Sequence, residues 1–204
     1  MIWNQKHLVA HDICLNVNWF WQKWYAVQDL RNNGRQQADI DFNMRWQIPE
    51  YGRLMCNVDA SFHRASDKTG IGCCVRNNAG IFVSALTSWT RPELSPHEGE
   101  TLGLWQAMSW AFSSGFQNVI FETDSKMLVD AVHSDSAGIP KFYVIVSKIR
   151  GLLALHYNFE VKFVRRQANM VAHTLAKATI SNVNRHVYDY APLCIQYYLR
   201  NDMS

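Results

Sequence analysis

Three strand-like runs follow one another with only turns between them: residues 54–60 (LMCNVDA), 69–76 (TGIGCCVR) and 81–89 (IFVSALTSW). Each is apolar at its centre and closed by turn formers, as Asn77-Asn78-Ala79-Gly80 closes the second. Three strands in succession with no helix between them predict an antiparallel meander. The pattern then changes. Ser95-Pro96-His97-Glu98 reads as an N-cap, a proline at the first helical position and an acidic first turn. The helix it opens runs toward Ser113, with Leu104, Met108, Ala111 and Phe112 expected on one face, and Gly115 stops it. Residues 118–123 (NVIFET) are apolar at the centre, as a strand buried on both faces should be. A short helix after Asp124-Ser125, with Met127, Leu128 and Ala131 inward, a helix over 140–154, a strand over 159–164 and a helix over 169–180 complete the series. The order βββαβααβα predicts an α/β fold. Its mixed sheet would have five strands, three antiparallel and then parallel, flanked by helices.

Composition excludes several classes. The chain has 204 residues, 48% of them hydrophobic and 18% charged, which is too apolar for disorder and enough for a sizeable core. No apolar run reaches the roughly 18–20 residues of a membrane span, and no signal-peptide core is evident, so no membrane partner is expected. Five cysteines without a CxxC pair argue against a disulfide scaffold or a structural zinc, and for a reducing, intracellular setting with nucleus and cytoplasm both open. The net charge of +3 falls wholly within residues 51–180, which hold thirteen basic and ten acidic residues. That excess is too small to announce a nucleic-acid binder. Five of the eight tryptophans lie in residues 1–50, where Trp21, Trp24, Tyr25 and Gln28 predict an aromatic helix ending near Arg31. That helix offers a surface to a protein partner. Residues 35–50 read as a linker, so the expected division is 1–50, 51–180 and a C-terminal extension over 181–204.

Three carboxylates stand out by placement: Asp59 in the first strand, Glu100 one turn into the first long helix, and Asp124 at the end of the fourth strand. A carboxylate beside a buried strand is costly unless paired, hydrogen-bonded or bound to metal. Taken singly, each has an ordinary reading; Asp124 would cap the following helix. Together, oxygen ligands from strand, helix and strand suit Mg²⁺ or Mn²⁺. His173, one turn into the last helix, is a fourth candidate. Arg165 and Arg166 would suit phosphate oxygens. Asn57, Ser61 and Asn169 are candidate sugar–phosphate hydrogen bonders, and Asn169 also suits an N-cap.

These segments carry a resemblance. LMCNVDASF, SPHEGETLGLWQAM, FETDSKMLVDAV and FVRRQANMVAHTLAK stand in the order of the ribonuclease H type 1 family. Within it, residues 54–180 resemble the plant reverse-transcriptase-like branch related to non-LTR retrotransposons. The resemblance implies a ribonuclease H-like fold and an endonuclease acting on the RNA strand of RNA–DNA hybrids. It further implies two Mg²⁺ (or Mn²⁺) ions held by Asp59, Glu100 and Asp124, with Asp59 bridging. His173 stands where cellular members carry Asp and the plant branch often His. Glu98 rivals Glu100, but the family's small-Glu-x-x-small-Leu pattern falls on Gly99-Glu100-Thr101-Leu102-Gly103-Leu104. Met55 replaces the Lys common in the branch, and no basic protrusion is present. The alternative is a catalytically weak or inactive module that keeps the fold and binds nucleic acid or protein.

Overall fold

The computed structural model describes residues 45–134, 140–179 and 184–202. The aromatic helix expected before Arg31 and most of the linker lie outside the described residues. The elements run β1 (Leu54–His63), β2 (Lys68–Arg76), β3 (Phe82–Thr90), α1 (Pro96–Ser113), β4 (Val119–Thr123), α2 (Lys126–His133) and α3 (Pro140–Leu155). They continue through β5 (Glu160–Phe163), a 3-10 turn (Arg166–Asn169), α4 (Met170–Ala178), β6 (Arg185–Tyr188) and α5 (Leu193–Asn201).

The sheet order is β5-β4-β1-β2-β3-β6. The meander β1–β2–β3 is antiparallel, while β4 and β5 continue from β1 in parallel. The expected sheet has five strands; the structure has six, because β6 of the C-terminal extension adds antiparallel to the free edge of β3. Its sequence, RHVY, is too short and too exposed to carry a strand signature of its own.

Strand alternation divides the interior into two faces. Cys56, Val58, Cys73, Val75, Leu86 and Phe121 pack with Leu104 and Met108 of α1 and with Val146 and Ile149 of α3. On the opposite face, Cys74 and Ala85 pack with Val171 and Leu175 of α4 and Ile195 of α5. The helix α1 begins as its sequence predicts. Ser95 and Glu98 form a reciprocal capping box, with Pro96 in the first turn. Two expected inward residues, Phe112 and Met127, are instead exposed by 52% and 43%. Each sits beside a true core position, where a period of 3.6 turns a neighbouring side chain toward solvent.

A buried polar chain lies across the second face. Arg76, 0% exposed, donates to Asn57 Oδ1 at 2.7 Å and Asp202 Oδ2 at 2.7 Å, and its guanidinium lies 3.4 Å from the ring centroid of Trp46. Asn57 Nδ2 donates to Glu122 Oε2 at 2.8 Å. Trp46, assigned to the linker by sequence, is thus buried against the sheet, and Asp202 of the extension supplies the counter-charge.

Candidate active site

Strand register sets the first two carboxylates side by side. Val58 of β1 pairs with Thr123 of β4, so Asp59 and Asp124, one residue further along parallel strands, occupy neighbouring positions. Asp59 is 0% exposed, because β1 is flanked by β2 and β4 and covered by helices. Glu100 arrives on α1, which approaches β1 closely through two glycines a turn apart. A Cβ on Gly103 would lie 3.6 Å from Val58 Cγ1, and one on Gly99 would lie 2.6 Å from the Phe62 ring. One oxygen from each of Asp59, Glu100 and Asp124 lies within 4.8 Å of the others. Glu98 is spent on the capping box, which resolves its rivalry with Glu100.

Three carboxylates at this spacing cannot all ionise cheaply. Burial, with the charges of Asp59 and Asp124, pushes Glu100 up to about 9. Burial and then Asp59 raise Asp124 as well. The compensating charge is Arg166. Its Nη1 donates to Asp124 Oδ2 at 2.8 Å and reaches Asp59 Oδ1 at 3.4 Å. Burial acts to lower this guanidinium's pKa, but Asp59 and Asp124 outweigh it and hold the pKa above its ordinary value. His173 Nδ1 lies 2.7 Å from Asp59 Oδ2, and Arg166 Nη2 sits between the two ring nitrogens, 2.7 Å from Nδ1 and 3.1 Å from Nε2. With its proton on Nδ1 the imidazole donates to Asp59, leaving Nε2 as its acceptor.

The donor set fits a hard divalent cation. All three ligand candidates are carboxylates, and Glu100 Oε2 is buried without a hydrogen-bond partner among the described residues. A buried acceptor left unspent costs energy unless something binds it. Lys177, which the sequence reading overlooks, lies one turn beyond His173, where burial and then the Arg166 charge lower its pKa. Helical spacing, i to i+4 from His173, is the signal that would have found it.

The remaining candidates separate by depth. Asn57 and Asn169 are both 0% exposed. Asn57 belongs to the Arg76 chain, and Asn169 Nδ2 donates to Val58 O at 2.9 Å. Both are therefore interior struts, not sugar–phosphate contacts. Asn169 occupies the N-cap position of α4 but makes no side-chain cap bond: its Nδ2 donates to β1, and its Oδ1 is buried without a hydrogen-bond partner among the described residues. Ser61 is 6% exposed and donates to Ala176 O at 2.7 Å, pinning β1 to α4. Arg165 is exposed at the rim. Arg166 points into the carboxylates. Asp124 caps nothing, since Ser125 holds the N-cap position of α2 and no side-chain bond is made there.

The family model described as "Reverse transcriptase-like" matches residues 57–179. No curated protein matches the sequence. Among solved structures, ribonuclease H1 from the halophilic archaeon Halobacterium salinarum is 18% identical with a TM-score of 0.58, covering 65% of this chain and 100% of its own. The N-terminal ribonuclease H domain of a Mycobacterium tuberculosis protein, solved as a maltose-binding-protein fusion, is 16% identical with a TM-score of 0.55, covering 63% and 93%. A ribonuclease H1 isolated from compost by a metagenomic approach, solved with an RNA/DNA hybrid, is 15% identical with a TM-score of 0.55, covering 63% and 96%. The described fold is ribonuclease H-like.

Proposed function

Because this chain belongs to the reverse transcriptase-like family and sets Asp59, Glu100 and Asp124 on a ribonuclease H-like fold, we propose that it is a metal-dependent endonuclease cleaving the RNA strand of RNA–DNA hybrids. The observation that carries this reading is the convergence of three carboxylates within 4.8 Å around an unspent Glu100 oxygen. Two Mg²⁺ or Mn²⁺ ions held there would supply an activated water and neutralise charge at the leaving oxygen. Asp59 would be a ligand to both ions, Glu100 to one and Asp124 to the other. His173, fixed by Asp59 through Nδ1, presents Nε2 as its acceptor at the site. Arg165 meets a backbone phosphate at the rim. The hybrid complex of the compost enzyme supports this choice of substrate. His173, together with the Cys56-Asn57-Val58-Asp59 run, supports the plant retrotransposon-related branch. Trp3, Trp19, Trp21 and Trp24 within residues 1–50 would serve a protein partner, and the protein would work in the nucleus or cytoplasm.

The test is cleavage of a labelled RNA–DNA hybrid with Mg²⁺ or Mn²⁺, beside Asp59→Asn and Asp124→Asn. The parent cuts the RNA strand, and each variant loses cleavage by about 10²-fold or more. Hybrid binding by the parent without cleavage in either metal would overturn the nuclease and leave the binding module. Cleavage retained by both variants would overturn the site.

A further inference from the structure

The position of Arg166 is the least expected feature of the site. A side chain suited to phosphate instead bridges two carboxylates, through Nη1 to Asp124 Oδ2 at 2.8 Å and Asp59 Oδ1 at 3.4 Å. A bridging cation would need those same acceptors. The guanidinium also contacts His173, so it touches three of the four proposed catalytic side chains. The Arg166 side chain is 43% exposed and begins the short 3-10 turn Arg166–Asn169 at the edge of the site. Rotation of its side chain alone would carry the charge outward, beside Arg165 and toward solvent, without disturbing β1 or α4. A divalent ion and a guanidinium cannot share Asp59 and Asp124, since like charges a few ångströms apart repel strongly in a partly buried site.

We propose that Arg166 is a resident counter-cation of the carboxylate site, which an entering divalent ion displaces outward to where the guanidinium can grip a substrate phosphate. This rests on the metal-nuclease reading and adds a regulation of the same site. Without metal, Arg166 shields Asp59 and Asp124 from mutual repulsion. With metal, that task passes to the ion, and the freed fork of N–H donors faces the nucleic acid. Metal occupancy and phosphate capture are thereby coupled through one side chain. The price of this shielding by Arg166 is weaker metal binding.

The experiment titrates the full chain with Mn²⁺ alone, followed by calorimetry and by the electron paramagnetic resonance of free Mn²⁺. Arg166→Gln removes the competing charge and binds Mn²⁺ about fivefold tighter than the parent, or more. Arg166→Lys keeps the charge and stays close to the parent. Equal or weaker binding by Arg166→Gln would overturn the displacement while leaving the nuclease intact. A lysine variant as tight as the glutamine variant would overturn it too, since packing rather than charge would then set the affinity. Failure of parent and both variants to bind Mn²⁺ would overturn the displacement and the metal-nuclease reading together. Thermal unfolding of the metal-free variants checks that each is folded, and the lysine comparison with the parent stands without the glutamine variant.

Discussion

At the scale of single residues, Glu100 shows how the site stores a proton. Its carboxyl sits at about 9 in the folded protein, raised by burial first and by Asp59 and Asp124 next, whereas an unfolded chain would hold it near its ordinary value of 4.5. Between those two values the folded state keeps a proton that the unfolded state has released. The stability of metal-free protein therefore falls as pH rises through that window. Glu100→Gln cannot ionise and removes this contribution. In chelator, the melting temperature of the parent should drop from pH 5 to pH 9 more than that of Glu100→Gln; parallel curves would contradict the assignment. The same proton must leave when a metal binds, so Mn²⁺ addition at neutral pH should acidify a weakly buffered solution.

The elements hold the site by close approach. Where α4 crosses β2, a Cβ on Gly72 would lie 2.3 Å from Ala176 N and 2.8 Å from Ala172 O, both backbone atoms that cannot rotate away. The helix can sit this near only because position 72 has no side chain, and α4 carries His173 toward Asp59, the strand partner of Gly72. Gly72→Ala must push α4 outward. It should cost about 1–3 kcal/mol in urea unfolding, and it should lower hybrid cleavage by drawing His173 away from Asp59. Unchanged stability would mean that α4 lies farther from the sheet. The periodicity of the helices was readable in the sequence, but their rotation was not. Phe112 and Met127 are apolar residues adjacent to core positions, and pattern alone cannot tell which neighbour turns inward.

Across the whole molecule, the ends of the described chain meet at one buried charge. Arg76 is 0% exposed, stacks on Trp46 and pairs with Asp202, whose side chain is 17% exposed. Between them β6 closes the sheet edge and Ile195 of α5 is 0% exposed in the second core. Asp202→Ala leaves Arg76 buried without its ion-pair partner, held by Asn57, the Trp46 indole and the nearby charge of Glu122. It should cost about 3 kcal/mol, the low end for breaking a buried pair, measurable by chemical denaturation. A cost near zero would show that Arg76 does not depend on the extension. Nothing in residues 181–204 announced this by sequence, since a lone aspartate near a chain end looks like any solvated carboxylate.

Taken alone, the sequence determined the order of elements, the capped start of α1 and the four short motifs holding Asp59, Glu100, Asp124 and His173. These are local matters, written in hydrophobic period, turn chemistry and residue type within a few positions. It could not say that Asn57 and Asn169 would be interior struts, that Arg166 would turn onto the carboxylates, or that the extension would supply a sixth strand. Those outcomes depend on which residues meet across the sheet: Val58 beside Thr123, Gly72 beneath Ala176, Arg76 against Asp202. Burial and charge pairing are set by neighbours distant in the chain, and only the tertiary structure decides who those neighbours are.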